Sequence, residues 1–116
     1  MKTLDAAVDC HQKGELAAAV KIYQEIISAN PENADAWHLM GVAIHQQDNN
    51  DLAQTLIQNT IGLNNEVSDF HSNLGMVQRV LGDDDNAEMA FRRAIKINPA
   101  HAKALSNLAG LLRTMG

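Results

Sequence analysis

Apolar residues recur at helical spacing along almost the whole chain. Between Glu15 and Ser28, the residues Leu16, Ala19, Val20, Tyr23, Ile26 and Ile27 follow the i, i+3, i+4, i+7 pattern that gathers them on one face of an α-helix. A shorter stripe of Leu4, Ala7, Val8 and Cys10 predicts a helix over about Thr3–Gln12, with Gly14 as the permissive residue of a tight turn between the two. Asn30-Pro31 ends the second helix, because the residue before a proline is driven out of the helical region. Further helices are predicted over about Ala34–Gln46, Leu52–Gly62, Val67–Leu81, Asp85–Lys96 and Ala102–Met115. Asp51 is the expected N-cap of the fourth helix, and Asp85 with Glu88 the expected capping box of the sixth. Arg92, Arg93 and Lys96 fall in the last turns of the sixth, where cations complement the helix dipole. The Leu52–Gly62 helix reads as the weakest: Thr55, Asn59, Thr60 and Gly62 lower its propensity, and Asn64-Asn65 stands where its neighbours have Asn-Pro. The expectation is an all-α chain of about seven helices.

The helices are copies of one another. Shifted by 34 residues, Trp37 meets His71, Met40 meets Leu74, Gly41 meets Gly75, Ala53 meets Ala87 and Ile57 meets Phe91, with no gap anywhere. Shifted the other way, Gly41 meets Ala7, Ala53 meets Ala19 and Ile57 meets Tyr23. A fixed period of this length marks a repeat array, in which each helix pair buries its remaining apolar face on the next. The units divide the chain at 1–33, 34–67, 68–101 and a partial fourth, 102–116. The small residues Ala7, Gly41, Gly75 and Ala109 are expected to face Ala19, Ala53 and Ala87 of the partner helices and so let the backbones approach. The final helix lacks a partner of its own, so Leu111 or Leu112 is expected to face solvent or another molecule.

Trp37, Met40-Gly41, Ala53 and Ile57, then Leu74-Gly75, Ala87, Phe91 and Pro99, sit at the slots of a known pattern. The chain resembles the tetratricopeptide repeat family over its whole length. That resemblance implies a right-handed solenoid whose first helices line a concave groove for a peptide. Carried slot by slot, it implies a groove of His38, Val42, His45, Asp69, Ser72, Asn73, Met76, Arg79, Lys103 and Asn107, with Gly110 and Arg113 at further groove slots. The carboxylate-clamp members of the family hold chaperone C-termini with a fixed set of residues. At those slots this chain has His38, Val42, Asn73, Lys103 and Asn107, of which only Asn73 and Lys103 match, so a clamp is disfavoured. Asn73-Leu74-Gly75 and Asn107-Leu108-Ala109 are similar to the units of bacterial O-GlcNAc-transferase-like arrays, in which an asparagine ladder lines the groove; Asp5 and Leu39 break that ladder in the first two units.

Composition narrows the picture further. Aromatic residues make up 3% of the chain, so its core has to be built from alanine, leucine, isoleucine, valine and methionine, which suits closely stacked helices. The net charge of −5 argues against a nucleic-acid partner, which would require a basic stripe. Acidic groups dominate residues 1–67, with nine against three basic, while residues 68–116 carry five against six. The lone Cys10 excludes a disulfide framework, Asp5 and Asp9 interrupt any secretory segment, and no apolar run reaches membrane-spanning length. A cytoplasmic setting, with no membrane partner, is the expectation.

Candidate chemistry is sparse. His38 and His45 stand two turns apart on one helix, too far for a shared metal, and His11 and His45 could meet only across the groove. The acidic turns at Asp48 and Asp83 lack the glycine and glutamate of a calcium loop. No phosphate-binding loop or nucleophile motif is present, so no cofactor, metal or catalytic residue is expected. The sequence therefore points to a non-catalytic protein-interaction module. The alternatives are the substrate-recruiting N-terminal head of a larger transferase, and a scaffold that self-associates through its C-terminal helix.

Overall fold

The computed structural model describes residues 3–116, which form seven α-helices: α1 (Leu4–Gln12), α2 (Leu16–Ala29), α3 (Ala34–Gln46), α4 (Asn50–Leu63), α5 (Ser68–Val80), α6 (Asp84–Ile97) and α7 (Ala102–Met115). Each helix packs on the next in sequence, and α5 also touches α3 and α7. The result is an elongated right-handed solenoid of helix pairs, 48 × 26 × 21 Å.

The period written in the sequence reappears in the hydrogen bonds. Three first helices end the same way, with a left-handed residue at Gly14 (φ 79°), Asp48 (φ 64°) and Gly82 (φ 82°). The next residue in each case bonds back five positions: Glu15 N–H to Cys10 O (2.9 Å), Asn49 N–H to Ile44 O (3.1 Å) and Asp83 N–H to Gln78 O (2.9 Å). The second helices close alike too. Asn30, Asn64 and Asn98 are their C-caps, and each side-chain oxygen accepts the N–H two residues on, at 3.2, 3.1 and 3.1 Å. These turns hold the chain where a proline follows (Pro31, Pro99) and equally where Asn65 follows. The closure of α4 is therefore as complete as that of its neighbours, against the expectation of a weak end there. The asparagine makes the turn, and the proline only adds stiffness.

Two caps differ from expectation for a related reason. Because Asp48 takes the left-handed position, Asn49 becomes the N-cap of α4, its side chain accepting Leu52 N–H at 3.4 Å, and Asp51 lies inside the first turn. In the same register Asp83 stands at the N-cap position of α6, where its carboxylate accepts from the Asn86 side chain at Nδ2 (2.8 Å) and not from the helix backbone. Asp85 and Glu88 thus form no capping box, and Glu88 accepts from Arg92 Nε at 2.9 Å instead.

Within each pair the close approach is made by glycine against a large side chain. A Cβ on Gly75 would stand 2.6 Å from Phe91 Cε1, and one on Gly41 would stand 2.8 Å from Ile57 Cγ1. The glycines therefore face Ile57 and Phe91, and not the alanines expected, although Ala19, Ala53 and Ala87 are all fully buried nearby. A hollow the depth of a missing side chain is filled better by a ring or a branched chain than by a methyl group. Tyr23, Ile57 and Phe91 occupy this slot in successive pairs, and all are fully buried.

The array's last face is open. Leu111 is buried and Leu108 nearly so, but Leu105, Leu112 and Met115 are each about two-fifths exposed, at 43, 40 and 41%. Of the two leucines flagged in the sequence, Leu112 is the one that faces outward.

The two kinds of helical glycine give opposite expectations. Gly62 lies inside α4 with open space where its Cβ would be, so Gly62→Ala should stabilise by up to about 1 kcal/mol. Gly75→Ala drives a methyl group into the Phe91 ring and should destabilise by about 1–3 kcal/mol. Urea midpoints measure both, and a fall for the first or no change for the second contradicts this packing.

Candidate functional site

The first helices α1, α3, α5 and α7 are joined by polar side chains at every junction, and each junction uses a histidine. His11 on α1 donates from Nε2 to Gln46 Oε1 on α3 (2.6 Å), while its Nδ1 accepts the hydroxyl of Tyr23 (2.9 Å). Burial holds the Tyr23 phenol above its ordinary pKa, so it stays a donor. His38 on α3 accepts at Nε2 from Asn73 Nδ2 on α5 (2.8 Å) and packs its ring against Phe70, with 4.6 Å between centroids. His101, at the N-cap of α7, accepts Ala104 N–H at Nδ1 (3.1 Å) and donates from Nε2 to Asp69 on α5 (2.6 Å). In each ring the partners fix one nitrogen as donor or acceptor, and so select a tautomer.

The residues expected to line the groove divide into three groups on this face. Val42, Met76 and Asn107 are half-buried, and Lys103 is exposed. His38, His45, Asp69 and Asn73 already have partners: His45 donates from Nδ1 to Asn50 Oδ1 (2.5 Å), Asp69 is held by His101, and His38 and Asn73 hold each other. Ser72 lies inside. It is 1% exposed, so its placement among surface contacts is corrected: the small side chain turns into the packed interior. His38, only 8% exposed, is likewise a tie between helices and not an open groove wall. His11 and His45, which could have met across the groove, bond to Gln46 and Asn50 instead.

Among the described residues, three buried side-chain polar atoms have no partner: Ser72 Oγ, Gln78 Oε1 and Asn107 Nδ2. Asn107 is the one on a first-helix slot with partial exposure, and its Nδ2 is buried there without an acceptor. Charge is sorted across the face. Asp35 and Asp69 stand in the first turns of α3 and α5, while His11, His45, Arg79 and Arg113 stand in the last turns of the four first helices. The arrangement complements each helix dipole. Arg79 reaches beyond its own helix, with Nη1 3.2 Å from where a Cβ on Gly110 of α7 would stand. Sequence reasoning missed His101 entirely, since a histidine N-cap has no distinctive pattern. A cleft of about 460 Å³ between α6 and α7 lies off this face and is lined by Arg92, Ile95, Lys96, Leu105 and Leu108.

Family models described as TPR repeat and as Tetratricopeptide repeat match residues 9–48 and 68–101, together more than half of the chain. The chain belongs to the tetratricopeptide repeat family. Solved tetratricopeptide structures superpose on it closely. The first such domain of Spaghetti (RPAP3), bound to the HSP90 peptide SRMEEVD, has a TM-score of 0.93 at 16% identity, covering 96% of this chain and 88% of that one. PcrH in complex with the chaperone binding region of PopD gives 0.89 at 21% identity, covering 97% and 91%. The Thermobaculum terrenum O-GlcNAc transferase gives 0.90 at 25% identity, with 97% of this chain matched to 23% of that one. No curated protein sequence matches the chain. No tetratricopeptide helix among the described residues is long and apolar enough to cross a membrane.

The tie between His38 and Asn73 has a pH signature. Burial is the main cause that pushes the His38 imidazole down from 6.5 to about 4; Asp69 and Asp35 oppose the shift and Lys103 adds to it. The folded tetratricopeptide array keeps this ring neutral while the unfolded chain takes up a proton below its ordinary pKa. The contribution is therefore whole above pH 6.5 and is lost as pH falls from 6.5 towards 4. Between pH 7 and 4.5 the native protein should lose on the order of 2 kcal/mol more unfolding free energy than His38→Gln. Equal losses in urea titrations would mean that the ring titrates freely.

Proposed function

We propose that the chain is a non-catalytic protein-interaction module that holds a peptide segment along the face formed by α1, α3, α5 and α7. The observation that carries this reading is the charged capacity left open on that face. Lys103, Arg79 and Arg113 take part in none of the ion pairs among the described residues. Apolar Val42 and Met76 lie between these groups as partly exposed contact surface. The similarity to tetratricopeptide domains solved with bound peptides supports the same role. A free thiol at Cys10 and the absence of a membrane-crossing helix among the described residues suit a cytoplasmic setting. Likeness to the O-GlcNAc transferase array extends the reading to a recruiting head, in which the same face would present a substrate to a further domain.

Peptides selected from a random library against the immobilised protein should shift the backbone amides of Val42, Met76 and Gly110. Changing Asn107 to Ala should weaken their binding by roughly 0.5–1.5 kcal/mol, the worth of one lost hydrogen bond. Selected peptides that shift only the α2, α4 and α6 amides, or a selection that enriches none, would overturn the reading.

A second reading has its own observation. Leu105, Leu112 and Met115 are exposed on α7 beside the apolar cleft against α6, and a face of this kind is covered by a further helix elsewhere in the array. Association of two copies through α7 should then appear as a concentration-dependent rise in sedimentation coefficient, abolished by Leu112→Glu. A monomer at every concentration up to the millimolar range would exclude it.

A further inference from the structure

We propose that Arg79 and Arg113 form a carboxylate-binding site at the α5–α7 end of the first-helix face, and that the peptide held there carries an acidic side chain. The inference rests on the interaction-module reading and adds the chemistry of the ligand. Arg79 Nη1 lies 3.2 Å, and Arg113 Nη2 3.8 Å, from the point where a Cβ on Gly110 would stand. The two guanidinium groups are therefore no further apart than those two distances laid end to end.

Helix dipoles do not explain the convergence. Each arginine is in the last turn of its own helix, where a cation is favoured. Arg79, however, leaves α5 and lies over α7. The same slot as Gly110 holds Val8, Val42 and Met76 in the preceding units, so only in the last is there room for a guanidinium to cross. No carboxylate neutralises the pair, since neither arginine is in an ion pair among the described residues. The acidic groups on the adjoining first helices are at the other end. Asp69 is ten residues, roughly 15 Å, back along α5 and is held by His101. Asp83, which follows α5, accepts from Asn86.

Two adjacent cations repel, and an anion placed between them relieves the repulsion. The planar fork of each guanidinium matches the geometry of a carboxylate, which can accept from both at once. Asn107 lies one turn before Gly110 on α7, and its buried Nδ2 is a donor without an acceptor. The arginine pair makes an electropositive corner that no carboxylate among the described residues neutralises. The slots of Arg79 and Arg113 differ from those of the carboxylate clamp, so the arginine pair does not depend on the clamp residues this chain lacks.

The test is an NMR titration of the ¹⁵N-labelled full chain with three short probes. These are acetyl-Gly-Glu-Glu-Gly-amide, the acetyl-Gly-Gln-Gln-Gly-amide analogue, and acetyl-Gly-Gln-Gln-Gly with a free C-terminal carboxylate. The acidic amide should shift the Gly110 backbone amide and the Arg79 and Arg113 side-chain Nε–H signals saturably. The glutamine amide should not. A response to the third probe equal to that of the first would identify a chain terminus as the ligand and overturn the side-chain assignment. Arg79→Gln and Arg113→Gln should each weaken the acidic probe at least ten-fold with an unchanged helical spectrum. Gly110→Ala, which keeps both charges but crowds the Arg79 guanidinium, should weaken it as well. Equal shifts from the acidic and glutamine amides, or shifts centred on Arg92 and Lys96 that survive both arginine changes, would overturn the proposal. The outcomes separate it from the reading beneath it. Library-selected peptides without acidic residues that bind both arginine variants as tightly as the native chain leave the interaction module standing and remove this site. Acidic probe at the pair, with no longer peptide along the face, upholds the site and removes the module.

Discussion

Everything in the array depends on how close the two helices of a pair can come. Gly41 and Gly75 remove the side chain that would keep the backbones apart, and Ile57 and Phe91 lie directly on the space left behind. That single contact sets the distance between helices and buries Ile57 and Phe91 completely. It also fixes the rotation of each first helix about its axis, because the glycine has to face its partner. Once the rotation is fixed, the slots that follow the glycines, Val42 and Met76, and Gly110 at the same slot of α7, are committed to the first-helix face. The chemistry of that face is in this sense a consequence of the packing beside it.

The same dependence decides what could be read from the residues alone. Period, helix count and the glycine slots were legible because they repeat, and three copies of one pattern outweigh the ambiguity of any single copy. Caps were not. Asp48, Asn49, Asn50 and Asp51 are four consecutive residues that all favour caps and turns, so propensity cannot choose among them. Alignment with Gly14 and Gly82 does choose, since it assigns Asp48 the left-handed position and leaves Asn49 to cap. The candidate site was legible as a set of slots, and less so as a surface. Ser72 and Asn73 are neighbours, yet one is sealed inside and the other reaches across a junction. Which way a small polar side chain turns depends on the helix beside it, and no periodicity records that.

Polar ties between first helices carry a second lesson. In a solenoid each unit contacts only its neighbours, so the junctions govern how far the array holds together. Here the junctions are not apolar alone. An imidazole bridges each one, with an amide, a carboxylate or a second amide opposite it. Hydrogen bonds of this kind specify a geometry more than they add stability, because the unpaired groups would otherwise face water or be stranded inside. They align the first helices side by side, which any ligand lying across several units requires.

One bond in the turns between pairs shows how such a chain is free to change. Trp37 Nε1 donates to the carbonyl of Pro31 at 2.8 Å, and His71 Nε2 donates to the carbonyl of Asn65 at 2.9 Å. Donor and acceptor are each displaced by one period, yet neither residue type is retained. What the slot demands is a ring N–H at a given reach and a carbonyl to receive it, and the main chain supplies the carbonyl whatever the residue. Shape is thus inherited through valence and not through identity. A lineage built on such slots can wander far in its letters while standing still in space, and a pattern keyed on tryptophan alone would walk past its own second copy.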